Sequence, residues 1–446
     1  MQKKKFITLA AVLALCLAMT ACGTKKDEEP AEPSAQITVE QDTGSVTAVL
    51  QSGEVSQLDE IENLKEADLR GSECFEEIYE WSKAHPTVAV FYDVTLPDGS
   101  VVENRTSSLD LSSLSGAQVD EAISAMKCLP KLVKVELGAQ RADLGISDVK
   151  KLQDALPNVR FNYAFTVYGQ SVTTNDTQLN LYHVPVEDEC AAAYEAMSIM
   201  PKLEYVDMDS CGASNEAIAA LRDAFPDVKV VWRVWFGGNY SVRTDVEKIL
   251  ASKPSVGGML YEGNCESLMY CTDCKYLDIG HNDDLGTIDF VAYMPKLEVA
   301  ILAMASWTDC SPLANCKNLE YLEIQTNPLS DLTPLSGLTK LRHLNICNTS
   351  VMDITPLYSL TGLERLWIGG WTGVPYEQIE EIQSLIPNCE VNWQAGDPTE
   401  GRWRIVGYHE EAYMYVYHPR YTLLLQQFGY TDKDYAFYWN DPLYAE

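Results

Sequence analysis

Between Leu297 and Gly370 the apolar positions recur every 22 residues. Leu297, Leu319, Leu341 and Leu363 keep one phase, and Leu313, Leu335 and Leu357 a second. Turn-forming residues keep the same step, with Asp309, Asp331 and Asp353 in one phase and Pro312, Pro334 and Pro356 in another. One turn runs through Leu319, Leu322, Ile324, Asn327, Leu329, Asp331, Leu332, Pro334 and Leu335. The next runs through Leu341, Leu344, Ile346, Val351, Asp353, Ile354, Pro356 and Leu357. The alternation around Leu322 and Ile324 predicts a short strand with one buried face. The Asp-x-x-Pro-Leu piece predicts a turn on the other side, because proline cannot donate to a strand ladder. A turn this short cannot bury its own apolar face, so neighbours must stack and share one core. Cys274, Leu277, Ile279 and Asn282 add an earlier turn with a step of 23 residues.

A longer period holds upstream, from about residue 55 to residue 275. Ala84-His85-Pro86-Thr87-Val88, Ala155-Leu156-Pro157-Asn158-Val159 and Ala224-Phe225-Pro226-Asp227-Val228 set their prolines 71 and 69 residues apart. A second anchor, Leu129-Pro130-Lys131-Leu132 and Met200-Pro201-Lys202-Leu203, again steps by 71. Runs with helical spacing, 148–155 and 215–224, end just before such a proline. A β-rich run follows, as at Val159 to Phe165. Pro97-Asp98-Gly99, Tyr168-Gly169-Gln170 and Gly237-Gly238-Asn239 then predict hairpin turns. Each unit of about 70 residues therefore reads helix, hairpin, strand, helix, strand, with the third copy irregular between Asn239 and Cys271. The motif returns at Leu385-Ile386-Pro387-Asn388-Cys389, after a helix-like run over 376–384. The expectation is one continuous α/β solenoid, with coarse repeats over 55–270 and a regular array with a closing helix-strand cap over 271–394.

The 22-residue turn resembles a leucine-rich repeat of the internalin-like kind. The resemblance implies parallel strands on a concave side, and a ladder in which the Asn327 amide bonds the backbone of adjacent turns. Its equivalents are Asn282, Ala305, Thr349 and Trp371, so the ladder is uneven. It also implies that the outward strand positions line the concave face in rows. The first row is Tyr276, Val299, Tyr321, His343 and Arg365; the second is Asp278, Ile301, Glu323, Asn345 and Trp367; the third is Gly280, Ala303, Gln325, Cys347 and Gly369. Tyr321, Glu323, His343, Arg365 and Trp367 form the candidate binding patch, with the aromatic and charged composition of interaction hot spots.

The N-terminus assigns a compartment. Lys3, Lys4 and Lys5 precede an apolar stretch, Phe6 to Ala18, of signal-peptide length and short for a membrane span. Met19-Thr20-Ala21-Cys22 resembles a bacterial lipobox, with Met19 where leucine is usual. The resemblance implies a signal peptide over 1–21, diacylglyceryl on Cys22 and a lipid-anchored, extracytoplasmic location. Residues 22–54 are expected to be a disordered tether, most biased in composition over 24–36. The net charge of -32 sets the chain against nucleic acid and anionic headgroups.

The remaining chemistry is thin. Of 13 cysteines, removal of Cys16 and lipidation of Cys22 leave an odd number, read mostly as small buried apolar residues. Cys265, Cys271, Cys274 and His281 match no strong zinc spacing, and Cys274 falls on a core position. Asp207-x-Asp209-x-Cys211-Gly212 opens like a calcium loop but has Cys211 at position five and Ile218 at position twelve. No nucleophile elbow, phosphate loop or zinc-protease helix motif is present. No cofactor, metal or catalytic residue is assigned.

After residue 395 the composition turns aromatic, with Trp403, Tyr408, Tyr413, Tyr415, Tyr417, Tyr421, Phe428 and Tyr430 among others. Trp403-Arg404 and His418-Pro419-Arg420-Tyr421 are similar to tails of other bacterial leucine-rich-repeat lipoproteins. This tail, 395–446, is expected to pack on the solenoid's end and seal it, the other reading being an aromatic ligand surface. The functional expectation is recognition or adhesion of a protein or glycan ligand through the concave face. A structural or assembly subunit of an envelope complex is the alternative, with an enzyme behind it.

Overall fold

The computed structural model describes residues 38–40, 44–238, 240–252, 260–370, 372–395, 402–410 and 414–430. The expected signal peptide, Cys22 and Trp371 lie outside the described residues. The chain divides into two compact units, 1–179 with 191–204, and 180–190 with 205–446.

In the first unit, strands Ser45–Thr47, Glu66–Asp68 and Ala89–Phe91 pair in parallel. Ser108–Asp110, Lys134–Ala139 and Arg160–Val167 do the same. Helices Phe75–Ala84, Val119–Lys127, Ile146–Ala155 and Ala191–Ser198 alternate with these strands. The expected tether is corrected here. Ser45–Thr47 is a paired strand, and Val46, Ala48 and Leu50 are buried, because their alternation supplies a first apolar row to the stack.

The coarse repeat has an internal logic that periodicity did not expose. Each hairpin is entered through a buried aromatic, Tyr92, Tyr163 or Trp232, and left through Asn104, Thr174 or Thr244. The leaving residue donates its N–H to the aromatic's carbonyl, at 2.9, 3.0 and 2.8 Å. The buried polar end of each aromatic finds its own acceptor. Tyr92 donates to Cys128 O at 2.7 Å, Tyr163 to Leu144 O at 2.7 Å and Trp232 to Asn215 Oδ1 at 2.9 Å. The Tyr168-Gly169 turn has φ of 48° and 79°, the left-handed pair that a two-residue hairpin needs.

In the second unit, helix Asn215–Ala224 separates parallel strands Tyr205–Asp207 and Lys229–Val231. A hairpin, Arg233–Phe236 with Tyr240–Arg243, follows. Then comes a seven-stranded parallel sheet of Lys248–Leu250, Tyr276–Asp278, Val299–Ile301, Tyr321–Glu323, His343–Asn345, Arg365–Trp367 and Glu390–Asn392. Leu322, Leu344 and Leu366 are register partners and fully buried side by side. This is a leucine-rich-repeat solenoid. Its sheet begins at Lys248–Leu250, inside the third coarse copy, so the expected division at residue 270 does not separate two sheets. Parallel pairing needs only matching backbone and a shared apolar row, and Ile249 supplies both.

On the opposite side, 3-10 helices Ser311–Asn315, Thr333–Gly337 and Thr355–Ser359 turn the chain. The periodic aspartates start them: Asp309, Asp331 and Asp353 accept from the N–H of Ser311, Thr333 and Thr355 at 2.7, 2.8 and 2.9 Å. The prolines fill the first positions, where no N–H is needed.

The uneven ladder is repaired turn by turn. Asn282 and Asn327 donate to Ile279 O and Ile324 O, at 2.8 and 2.9 Å. At Ala305 the missing amide is replaced by Trp307, whose indole donates to Leu302 O at 3.1 Å. Thr349 serves its own turn by donating to Ile346 O at 2.7 Å. One buried carbonyl per turn needs a donor, and three residue types provide it.

Candidate functional site

The register brings the expected patch together. Tyr321, His343 and Arg365 are successive partners in one row, and Glu323, Asn345 and Trp367 in the next. All five expected binding residues are buried, which corrects the expectation of an open face. The cover is the chain's own C-terminal segment. It comprises the hairpin Ile405–His409 with Met414–Tyr417 and the helix Pro419–Phe428. Trp403, Tyr421, Leu424 and Phe428 pack with Val299, Ile301, Tyr321, Cys347, Trp367 and Ala395 in one apolar cluster. The tail therefore lies across the strand rows instead of sealing the array's end. The outward rows carry apolar and aromatic groups that an end cap would leave wet.

Glu323 is the centre of this contact, with no exposed surface. Trp403 Nε1 donates to it at 2.8 Å and Arg404 Nε at 3.1 Å, and Arg404 Nη2 reaches its second oxygen. Gln325 Nε2 donates at 2.9 Å, and the Tyr321 hydroxyl also donates. Burial alone would raise the Glu323 carboxyl, but the Arg404 charge and these bonds outweigh it and hold the group below its ordinary value. Breaking such a buried pair by removing one partner typically costs about 3–5 kcal/mol.

Arg365 reads the tail's backbone. Its Nη2 donates to Arg402 O at 2.6 Å and Trp403 O at 3.0 Å. Its guanidinium lies 4.5 Å from the Trp367 ring and 4.6 Å from the Trp403 ring. Trp403 in turn sits 5.1 Å from Trp367 and 5.5 Å from Tyr321, centroid to centroid. Arg402 enters this region with a left-handed φ of 75°. Burial and the charges of Arg365, Arg420, His418 and Arg342 push His343 down to about 3, so it is neutral beneath the tail.

The helix is fixed at both ends. His418 caps its start by accepting from Arg420 N at 3.1 Å, and Gly429, at φ 69°, ends it. Lys248 Nζ donates to Phe428 O at 3.0 Å. Tyr430 donates its hydroxyl to buried Asp278, whose carboxyl burial pushes up to about 6.

The repeat period sets the five residues on neighbouring strands and is silent on what covers them. Trp403-Arg404 was visible as a motif, but period and spacing do not say where a tail returns. The other motifs resolve as structure. Asp209 is paired with Arg233 at 2.9 Å, and Arg243 reaches Asp207 at 3.1 Å. Cys265, Cys271 and Cys274 are buried free thiols.

No protein-family model matches the chain, and no curated protein matches it. Among solved structures it is similar to an internalin from Listeria monocytogenes at 19% identity, over 81% of this chain and 86% of that one, with a TM-score of 0.30. A leucine-rich-repeat protein of Leptospira interrogans is 16% identical over 76% and 92%, with a TM-score of 0.31. A chain of the octameric complex of latrophilin 3, Unc5D and FLRT2 is 15% identical over 59% and 84%, with a TM-score of 0.29.

Proposed function

We propose that this is a recognition protein that binds a protein ligand through the outward strand face of its regular repeats. The observation that carries this reading is that the face already holds a polypeptide. Arg365 takes two main-chain carbonyls, Glu323 takes an indole and a guanidinium, and Trp367 and Tyr321 flank the indole. Aromatic and arginine anchors around a desolvated centre are the composition of interaction hot spots. The proposal keeps the lipid anchor at Cys22 as the means of display, on the strength of Lys3 to Lys5, the apolar stretch and the lipobox-like tetrapeptide.

The test is an array of secreted proteins and glycans probed with the mature chain from residue 22. A protein hit is expected whose affinity falls at least tenfold in Arg365→Met. Hits that are indifferent to Arg365→Met and Glu323→Gln would remove the face from consideration. One observation favours the envelope-assembly reading, namely that Tyr408, Val416 and Leu423 of the tail are exposed. Under that reading Leu423→Asp would cost partner capture while Arg365→Met would not.

A further inference from the structure

Resting on that reading, we infer that the strand face selects a partner segment in which an aromatic residue is followed directly by arginine, and that the C-terminal segment occupies the face in cis as a built-in competitor. Three consecutive residues make the specific contacts. Main-chain carbonyls of Arg402 and Trp403 are taken by Arg365, which any extended peptide would satisfy. The Trp403 indole fits against Trp367 and Tyr321 and donates its N–H to Glu323. The Arg404 guanidinium brings two donors to the same carboxylate. Backbone reading plus two adjacent side-chain requirements is how a face recognises a short linear segment.

Leu322, Leu344 and Leu366 are buried side by side on the other side of the same strands. The strand face instead buries a carboxylate that depends on the tail for its charge-matched donors. Among the described residues, Glu323 without Trp403 and Arg404 keeps Tyr321 and Gln325 as donors. An acidic centre among aromatics calls for a cationic, aromatic ligand, and a tethered copy of that ligand competes at an effective concentration on the order of millimolar.

The test uses the full mature chain and a labelled peptide of residues 402–430. The double variant Trp403→Ala, Arg404→Ala opens the face. The peptide is expected to bind it at least tenfold more tightly than it binds wild type. Adding Glu323→Gln and Arg365→Met should abolish that binding, as should the same two alanines in the peptide. Failure of the peptide to bind the opened chain, or equal binding by the alanine peptide, overturns the inference. If the opened chain melts early, a protease site replacing residues 396–400 serves instead. After cleavage the labelled peptide should exchange with the bound segment, and retention of the original against a hundredfold excess overturns the inference. A tail-exchanged dimer seen by light scattering assigns the occupant to a second copy and overturns the external partner. The array hit is expected to compete with the peptide. A hit on the same face that lacks an aromatic-arginine segment sinks this inference and leaves the proposed function standing.

Discussion

A buried carbonyl needs a donor whatever residue supplies it, and the ladder shows how much variation that rule allows. Asn327 also accepts from Ala305 N at 3.0 Å and donates to Leu302 O at 3.0 Å, so it ties two turns together. Asn327→Ala should therefore cost about 3 kcal/mol, while Thr349→Val, which strands a single carbonyl, should cost about 1 kcal/mol. Urea titration of both variants checks the order, and equal losses would contradict the accounting. The buried titratable groups give a pH prediction. His343 falls from its ordinary 6.5 to about 3, so the unfolded chain binds the extra proton, and stability present above 6.5 is lost as pH falls toward 3. Asp278 rises from its ordinary 3.8 to about 6, so its contribution is full below 3.8 and is lost as pH rises toward 6. From roughly pH 4.5 to 6 the two oppose one another, each with a slope of up to about 1.4 kcal/mol per pH unit. These two contributions should nearly cancel there. Asp278→Asn should lose stability on acidification and His343→Gln should gain it. Melting curves that run parallel in all three chains would refute the pairing.

At the scale of elements, the strands and 3-10 turns follow from residues read directly in the sequence, because each repeat repeats its own local chemistry. Closeness of approach between elements does not follow from the pattern. Gly369 sits in the third outward row, and a Cβ there would lie 2.4 Å from Ala395 O and 2.7 Å from Ala395 N. Both obstructing atoms are backbone, so neither can swing aside. Gly369→Ala should destabilise by about 1–3 kcal/mol. Gly286→Ala, whose nearest neighbour is the flexible Glu262 carboxylate at 3.6 Å, should be close to neutral. Thermal melts of the pair decide it, and an unperturbed Gly369→Ala chain would mean that Ala395 yields.

At the scale of the molecule, the proposed anchor and the covered face make separate predictions. Cys22→Ser should move the protein from the membrane fraction to the soluble fraction, since one cysteine would carry the acyl chains. Persistence in the membrane fraction would defeat the lipoprotein proposal. The covered face also changes what its substitutions should do. Trp367 is buried under Trp403, so Trp367→Ala should lower stability by about 3–5 kcal/mol as well as weaken binding. Glu323→Gln breaks the buried pair with Arg404 and costs stability too, so each face variant is read beside a melting curve to separate recognition from folding. Denaturation showing no penalty for Trp367→Ala would mean that the tail does not rest there.

The strand rows, the buried leucines, the proline-started turns and the hairpins were legible in the amino-acid sequence. A periodic pattern fixes which positions must share a core, and a parallel register follows from it. That the five expected residues lie on neighbouring strands follows for the same reason. Where the tail returns was decided only by the tertiary structure. That placement depends on long-range complementarity between Trp403-Arg404 and a carboxylate 80 residues earlier, for which no local spacing exists. The aromatic entry to each coarse hairpin, the indole standing in at Ala305 and the glycine under Ala395 were hidden likewise. Each is set by the distance between groups that only folding brings together.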